Sequence, residues 1–372
     1  MLKRILLFTF SLALLTFLAC NKDSTGSKAD NSDIPADPTN ITIPAIVYNN
    51  LIPAATFGKT SGNASRIRVN LLGLVDPNTL LPITLAADYS GGTYNFYLEE
   101  DGVLKGVKLT KVSTSTVLTA DIAFIVDNSG SMDQEADSVA NSILEFANYL
   151  TSKGLNVRFA CVGSWGQVNG AINFTDKNKL SKYLSGRSGY DYGTYRTVGF
   201  SGPDSAQLEQ AAYDYAYNEV YDENGVVSIL YADSLFSWRA GAQRVFINFT
   251  DEPTQPNGYM KWSTEYMCEK ILGRATVHTV FSEDTTYYSG YWQDLYNEQP
   301  WLMSQCTGGT VKFVDAYATG LNLVDLPVAG ALSNSYLVEY LTTSPGGAHS
   351  VVITVKATGA DGQIEYLNIT YN

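Results

Sequence analysis

The sequence predicts an α/β protein whose core is a doubly wound, mostly parallel sheet, inserted in or flanked by a small antiparallel β-sandwich. Two observations point there. From residue 120 to about 333, solid apolar runs alternate with segments of helical spacing. On either side, over 41–119 and 334–372, the pattern changes to period two with Gly-containing turns. A chain of 372 residues with 45% apolar composition has enough core material for two domains.

In chain order, the first element is a targeting signal. Lys3 and Arg4 precede an apolar run over 5–19, and Cys20 follows. A positive start and a short apolar stretch read as a signal peptide over 1–19 rather than a membrane span. The tetrapeptide F-L-A-C at 17–20 resembles the lipobox of bacterial lipoproteins, which implies that Cys20 carries lipid. On this reading the chain meets the membrane through its N-terminal lipid only and resides in the cell envelope, at the outer membrane or cell surface. Residues 20–40 are polar and small, with Pro35 and Pro38, and read as a flexible tether.

An N-terminal β domain is expected over 41–119, from I-R-V-N-L-L-G-L-V, Y-N-F-Y-L, the turn E-D-G at 100–102 and V-L-K-G-V-K-L. The alternating block follows over 120–333. I-A-F-I-V at 122–126 suits a parallel strand buried on both faces, and Ala136, Val139, Ala140, Ile143, Ala147 and Leu150 mark one helix face. A strand over 155–162, a helix face at Leu208, Ala211, Ala212 and Tyr215, and a buried strand over 245–249 come next. A helix near 264–272, the strand A-T-V-H-T-V-F, a helix through 301–306 and the edge strand in T-G-G-T-V-K-F complete the block. Three further strands over 334–372 are marginal alone and are expected to complete the N-terminal β domain.

Composition narrows the chemistry. A net charge of −13 argues against nucleic acid or anionic lipid as the main partner. The two histidines, His278 and His349, sit in β-like runs, which speaks against a Ser-His-Asp enzyme or a His-rich zinc site. Cys161 lies in a strand-like run and reads as a buried thiol, while Cys268 and Cys306 fall in helix-like segments and could pair in an oxidising compartment.

The candidate site is D-N-S-G-S at 127–131, directly after a buried strand and before an amphipathic helix. Asp127, Ser129 and Ser131 put hard oxygens around one point as the chain turns, and Gly130 lets the turn be tight. Oxygen-only donors with few charges suit Mg²⁺ most, with Mn²⁺ or Ca²⁺ also accommodated. V-F-I-N-F ends in T-D-E, so Asp251 falls at the same carboxyl edge of the sheet, where open α/β sheets bind ligands.

D-I-A-F-I-V-D-N-S-G-S-M, F-I-N-F-T-D-E and C-T-G-G-T-V-K-F, in that order, resemble the von Willebrand factor type A domain over about 120–333. The resemblance implies a Rossmann-like fold with a metal-ion-dependent adhesion site. It implies Asp127, Ser129, Ser131 and Asp251 as metal residues, plus one from an intervening loop. In that loop S-G-P-D-S-A-Q departs from the family's Thr and from its D-x-P-E pattern. Asp204 is the expected donor, with Ser201 and Thr197 in reserve, and Glu135 is a candidate for an adjacent regulatory cation.

The function implied is adhesion-type binding of a protein that presents an acidic residue to the ion, not catalysis. Tyr190, Tyr192, Tyr195, Tyr259, Trp262, Tyr287 and Tyr288 lie in loops expected around the metal and suit a recognition surface. Two alternatives use the same features: a structural subunit of an envelope or secretion assembly with one fixed partner, and a glycan-binding surface protein.

Overall fold

The computed structural model describes residues 30–79, 81–111, 119–185, 195–286, 297–325 and 334–371. The expected signal peptide, the lipidation site Cys20 and the first part of the tether lie outside the described residues.

The N-terminal strands are β1 (Ala55–Thr60), β2 (Asn63–Leu71), β3 (Ala87–Asp88), β4 (Thr93–Tyr94), β5 (Phe96–Glu100), β6 (Val103–Leu104) and β7 (Lys108–Lys111). The middle block runs β8 (Thr119–Asp127), α1 (Ala136–Ser152), β9 (Asn156–Trp165), β10 (Gln167–Thr175), α2 (Lys177–Ser185), β11 (Gly199–Ser201) and α3 (Ser205–Asp214). It continues with α4 (Gly225–Leu235), β12 (Gln243–Thr250), α5 (Thr264–Ile271), β13 (Thr276–Phe281), α6 (Leu302–Thr307) and β14 (Val311–Phe313). The chain closes with β15 (Tyr336–Leu341), β16 (Ala348–Ala357) and β17 (Ala360–Thr370).

The predicted fold class is borne out. The middle block forms a seven-stranded sheet in the order β11-β10-β9-β8-β12-β13-β14. Its pairs are parallel except β9 with β10, which are joined by a tight turn at Gly166. Alternation along β8 explains the two layers of helices. Ile122, Phe124 and Val126 face a core built with Ile143, Phe146 and Leu150 of α1 and Leu180 of α2. Ala123 and Ile125 face the opposite core, with Leu208 of α3, Ile229 of α4, Met267 of α5 and Met303 of α6. A disulfide between Cys268 and Cys306 joins α5 to α6, and Cys161 is a buried free thiol.

The chain's two ends meet in two four-stranded antiparallel sheets, β1-β2-β15-β7 and β17-β16-β5-β6. Ile67 and Val69 of β2, Phe96 and Leu98 of β5, Val338 of β15 and Ile353 of β16 share one core between them. The middle block leaves this sandwich after β7 and returns at β15, which are neighbours with Lys111 opposite Tyr336.

Residues 30–40 correct the tether. Asp33 pairs with Arg66 and Lys108, Asp37 pairs with Lys105 and accepts from the Gly106 amide, and Ile34 is buried. Polar, small composition predicted mobility, yet its carboxylates find fixed cations on the sandwich. Among the described residues, no helix is long and apolar enough to cross a membrane.

Candidate metal centre

Asp127 is the last residue of β8, and the parallel register of β8 and β12 places Asp251 just beyond the neighbouring strand at the same edge. After Asp127 the chain turns at once. The Asn128 amide donates to the Ser164 carbonyl of β9, and the Ser129 amide donates back to Asp127 Oδ1 at 2.8 Å. A short 3-10 helix, Gly130–Asp133, follows and turns Ser131 toward Ser129, their hydroxyls 3.1 Å apart. Thr250, at the end of β12, donates its hydroxyl to Asp127 Oδ2 at 2.8 Å, which fixes the second carboxylate oxygen.

Asp127, Ser129, Ser131 and Asp251 therefore stand together at one edge of the sheet. Burial pushes the Asp127 carboxyl well above the usual range, and the nearby Asp251 and Glu223 add to this. Asp251 is pushed up to about 6 by burial, against which the Ser131 hydroxyl acts. Oδ1 of Asp251 is buried and has no hydrogen-bond partner among the described residues. Two hydroxyls and two carboxylates whose charge is poorly compensated match the donor set of a hard divalent cation. Among the described residues, no three of His, Cys, Asp and Glu converge as a metal cluster, and this site depends on its serines as much as on its acids.

The intervening loop differs from expectation. Asp204 does not join the cluster: it precedes α3, and its Oδ2 accepts from Asn173 near the far end of β10. That is about four residues back along the sheet, on the order of 13 Å. Ser201 pairs at the level of Ile172, also away from the edge. Thr197 is the loop residue that reaches the site. It lies buried over Gly163 of β9, and its hydroxyl donates to Asn128 Oδ1 at 2.6 Å. β11 runs parallel to β10, and both are reversed relative to β9, so the loop enters at the site edge and carries Asp204 away from it.

Glu135 is buried before α1, accepts from Ser282 and keeps Oε2 without a partner among the described residues. Burial pushes it up to about 7. Sequence reading missed Glu223 and Glu252, whose Oε2 atoms share the Gln255 side-chain amide at 3.1 and 3.4 Å. Burial, then Glu223, pushes Glu252 up to about 8. No local pattern singles out Glu223; its position beside β12 is a tertiary fact.

The aromatic expectations divide. Tyr190, Tyr192, Tyr287 and Tyr288 lie outside the described residues. Tyr259 is exposed, but Tyr195 and Trp262 are buried. The Tyr195 hydroxyl donates to the Ser129 carbonyl at 2.6 Å, so its role is to hold the loop after β8. Trp262 packs in the core under α4 and α5, with its indole N–H donating to Glu219. A loop position in the sequence did not reveal that each ring has a fixed polar partner. The exposed rings at this end of β9 and around α3 are instead Trp165, Tyr213, Tyr217 and Tyr221, none of which lies in a sequence motif.

No family model matches the chain, and no curated protein matches it in sequence. Among solved structures it is similar to the proximal thread matrix protein 1 from the mussel byssus, at 13% identity over 61% of this chain and 47% of that one, with a TM-score of 0.34. It is also similar to the pilus adhesin SpaC from Lactobacillus rhamnosus GG, at 11% identity over 86% and 56%, with a TM-score of 0.35. A von Willebrand factor type A structure from Catenulispora acidiphila matches at 11% identity over 88% and 75%, with a TM-score of 0.34. The chain spans about half the length of the first two. At these scores the likeness carries no argument, and the fold rests on the strand order itself.

Proposed function

We propose that this chain is a cation-dependent binding protein of the cell envelope. Asp127, Ser129, Ser131 and Asp251 would hold a divalent ion, Mg²⁺ most naturally, and Thr197 replaces Asp204 as the nearest candidate from the intervening loop. The observation that carries the reading is the buried Oδ1 of Asp251, unpartnered among the described residues, beside two facing serine hydroxyls and the desolvated Asp127. Such an ion supplies an open coordination position that an acidic residue of a partner protein can fill, a charge-assisted contact that orients the partner.

The chain's own residues do the positioning. The Ser129 amide and the Thr250 hydroxyl lock both Asp127 oxygens, and Tyr195 holds the loop from below. Binding is favoured over hydrolysis because neither histidine is placed to act as a base here. His278 is buried in β13 with Nδ1 bound to Thr310, and burial lowers it to about 3. His349 is held in β16 by Asp101 and the Ser344 carbonyl. Lipid on Cys20 would supply the membrane anchor, and the Cys268–Cys306 disulfide suits an oxidising compartment outside the cytoplasm.

The test is thermal unfolding of the full chain in detergent with Mg²⁺, with Mn²⁺ and with chelator. Either ion is expected to raise the melting temperature, and Asp127→Ala is expected to remove the rise. Equal melting in metal and chelator for the unmodified chain would sink the site. Pull-down from envelope extract under the same two conditions then identifies the partner.

A further inference from the structure

Beside the metal loop a cleft of about 1100 Å³ opens between the β9–β10 turn and α3, reaching Asn128 and Gly130 at one end. Its rim carries two aromatic rings turned to solvent, Trp165 at the end of β9 (53% exposed) and Tyr213 on α3 (66% exposed). Tyr213 stacks with Tyr217 at 5.8 Å between centroids, so the α3 side offers a rigid pair of rings rather than one loose side chain. Gly166, which turns β9 into β10, sits against the backbone of Tyr221 with no room for a Cβ, which fixes the Trp165 turn against the segment after α3.

Polar groups line the floor and the far wall. Gln167 and Asn169 come from β10, and Glu209 and Gln210 from successive positions on α3. Asn169 uses its Oδ1 to accept from Asn128, and its amide N–H₂ makes no hydrogen bond among the described residues. The side chains of Gln167, Glu209 and Gln210 likewise bond to none of the described residues. Apolar ring faces flanked by amide donors and acceptors at fixed positions match a chain of sugar rings. The C–H faces of a sugar cover aromatic surface while its hydroxyls both give and accept hydrogen bonds. Among the described residues Glu209 is the one carboxylate in the lining and no cation stands beside it there; the whole chain is acidic, so the sugar is uncharged.

We propose that this cleft binds a neutral oligosaccharide, with Trp165 and Tyr213 as stacking platforms and Gln167, Asn169, Glu209 and Gln210 reading its hydroxyls. This goes beyond the cation-dependent reading and does not need the metal: the lining groups it uses are not the four metal residues.

The test is isothermal titration of the full chain in a non-glycosidic detergent with cellotetraose, maltotetraose, mannotetraose and chitotetraose, each in Mg²⁺ and in chelator. Polygalacturonate serves as the acidic comparison. At least one neutral tetrasaccharide is expected to bind in chelator as well as in Mg²⁺. Trp165→Ala is expected to weaken it about tenfold, which corresponds to about 1.4 kcal/mol. Tyr213→Ala should also weaken it, and Asp251→Ala should leave it unchanged. Both rings are at the surface, so their loss does not threaten folding, and an unchanged melting temperature checks this. Failure of all four sugars to bind, or binding that survives both ring deletions, overturns the proposal. So does binding confined to polygalacturonate or abolished by Asp251→Ala, since either assigns the ligand to the metal centre. Loss of the Mg²⁺ melting shift with sugar binding intact would sink the cation reading alone.

Discussion

At Gly163, in β9, the missing side chain makes the site possible. A Cβ there would overlap the Asn128 side-chain nitrogen and lie 2.6 Å from the Thr197 carbonyl and 2.7 Å from its hydroxyl. Gly163 faces Gly170 across the β9–β10 pair, and a Cβ at Gly170 would also strike the Thr197 carbonyl. Two paired glycines thus open a slot into which the intervening loop settles. Gly163→Ala is expected to cost about 2 kcal/mol of stability through overpacking and to push Thr197 off Asn128, diminishing the Mg²⁺ melting shift. An alanine variant with the normal shift would show that Thr197 does not support the site. The residues visible in the sequence were those whose positions follow from strand ends: Asp127, Ser129 and Ser131 after one buried run, Asp251 after another. Sequence reading ranks Asp204 ahead of Thr197 and the order is the reverse, because which of them reaches the edge depends on the direction of β10 and on two glycines with no local signature.

Among the elements, α1 and α3 announced themselves by apolar spacing and β8 by a solid apolar run, whereas α4 did not. Its sequence, G-V-V-S-I-L-Y-A-D-S-L, is apolar nearly all round, and Val226, Val227, Ile229, Tyr231 and Ala232 are all buried. Period cannot distinguish such a helix from a buried strand; Asn224 starts it by capping the Val226 and Val227 amides. Where α5 meets α6, helices of eight and six residues are short enough to depend on the bond between Cys268 and Cys306. The bond closes a separation of 38 residues, and its loss through Cys268→Ser with Cys306→Ser is expected to cost about 3 kcal/mol. Guanidinium unfolding of the two chains measures this, and coincident curves would refute it. In the sandwich, Asp361 ties residues 47–49 to the β16–β17 turn. Burial alone would raise its pKa, but Lys356 and the amides of Asn49, Val47 and Tyr48 outweigh burial and hold it well below the usual carboxylate range. A carboxyl depressed in the folded state stabilises fully above its ordinary value near 3.8 and loses that contribution as pH falls through the lower folded value. Stability should therefore decline on acidification below about pH 4, and Asp361→Asn should flatten that decline. An identical acid profile in the variant would remove Asp361 from the explanation.

For the molecule as a whole, the order of strands matters more than any one contact. β2 and β7 both pair with β15, and β5 pairs with β16, so the sandwich core is assembled from the two ends of the chain with the site-bearing block between them in sequence. The departure and return points are neighbours, since Lys111 lies opposite Tyr336 in an antiparallel pair. A two-residue Asn-Gly turn spans such a pair with the twist that hairpins favour. Replacing residues 112–335 by Asn-Gly is expected to leave a sandwich that folds by itself, because its core residues Ile67, Val69, Phe96, Leu98, Val338 and Ile353 all remain. The cut uncovers Ala54 and Leu72, which pack against the middle block, with Ile52 beside Gly308 and Tyr366 beside Gly273, and Asn70 and the Gly73 amide lose their hydrogen bonds to Gly241, Gln243 and Ser335. The complementary piece, 119–325, keeps both helix layers and the four residues proposed to hold the ion. Each piece is expected to unfold cooperatively by circular dichroism, and only 119–325 is expected to melt later in Mg²⁺. If the shortened sandwich shows no cooperative transition, the ends of the chain fold only on the template of the block between them.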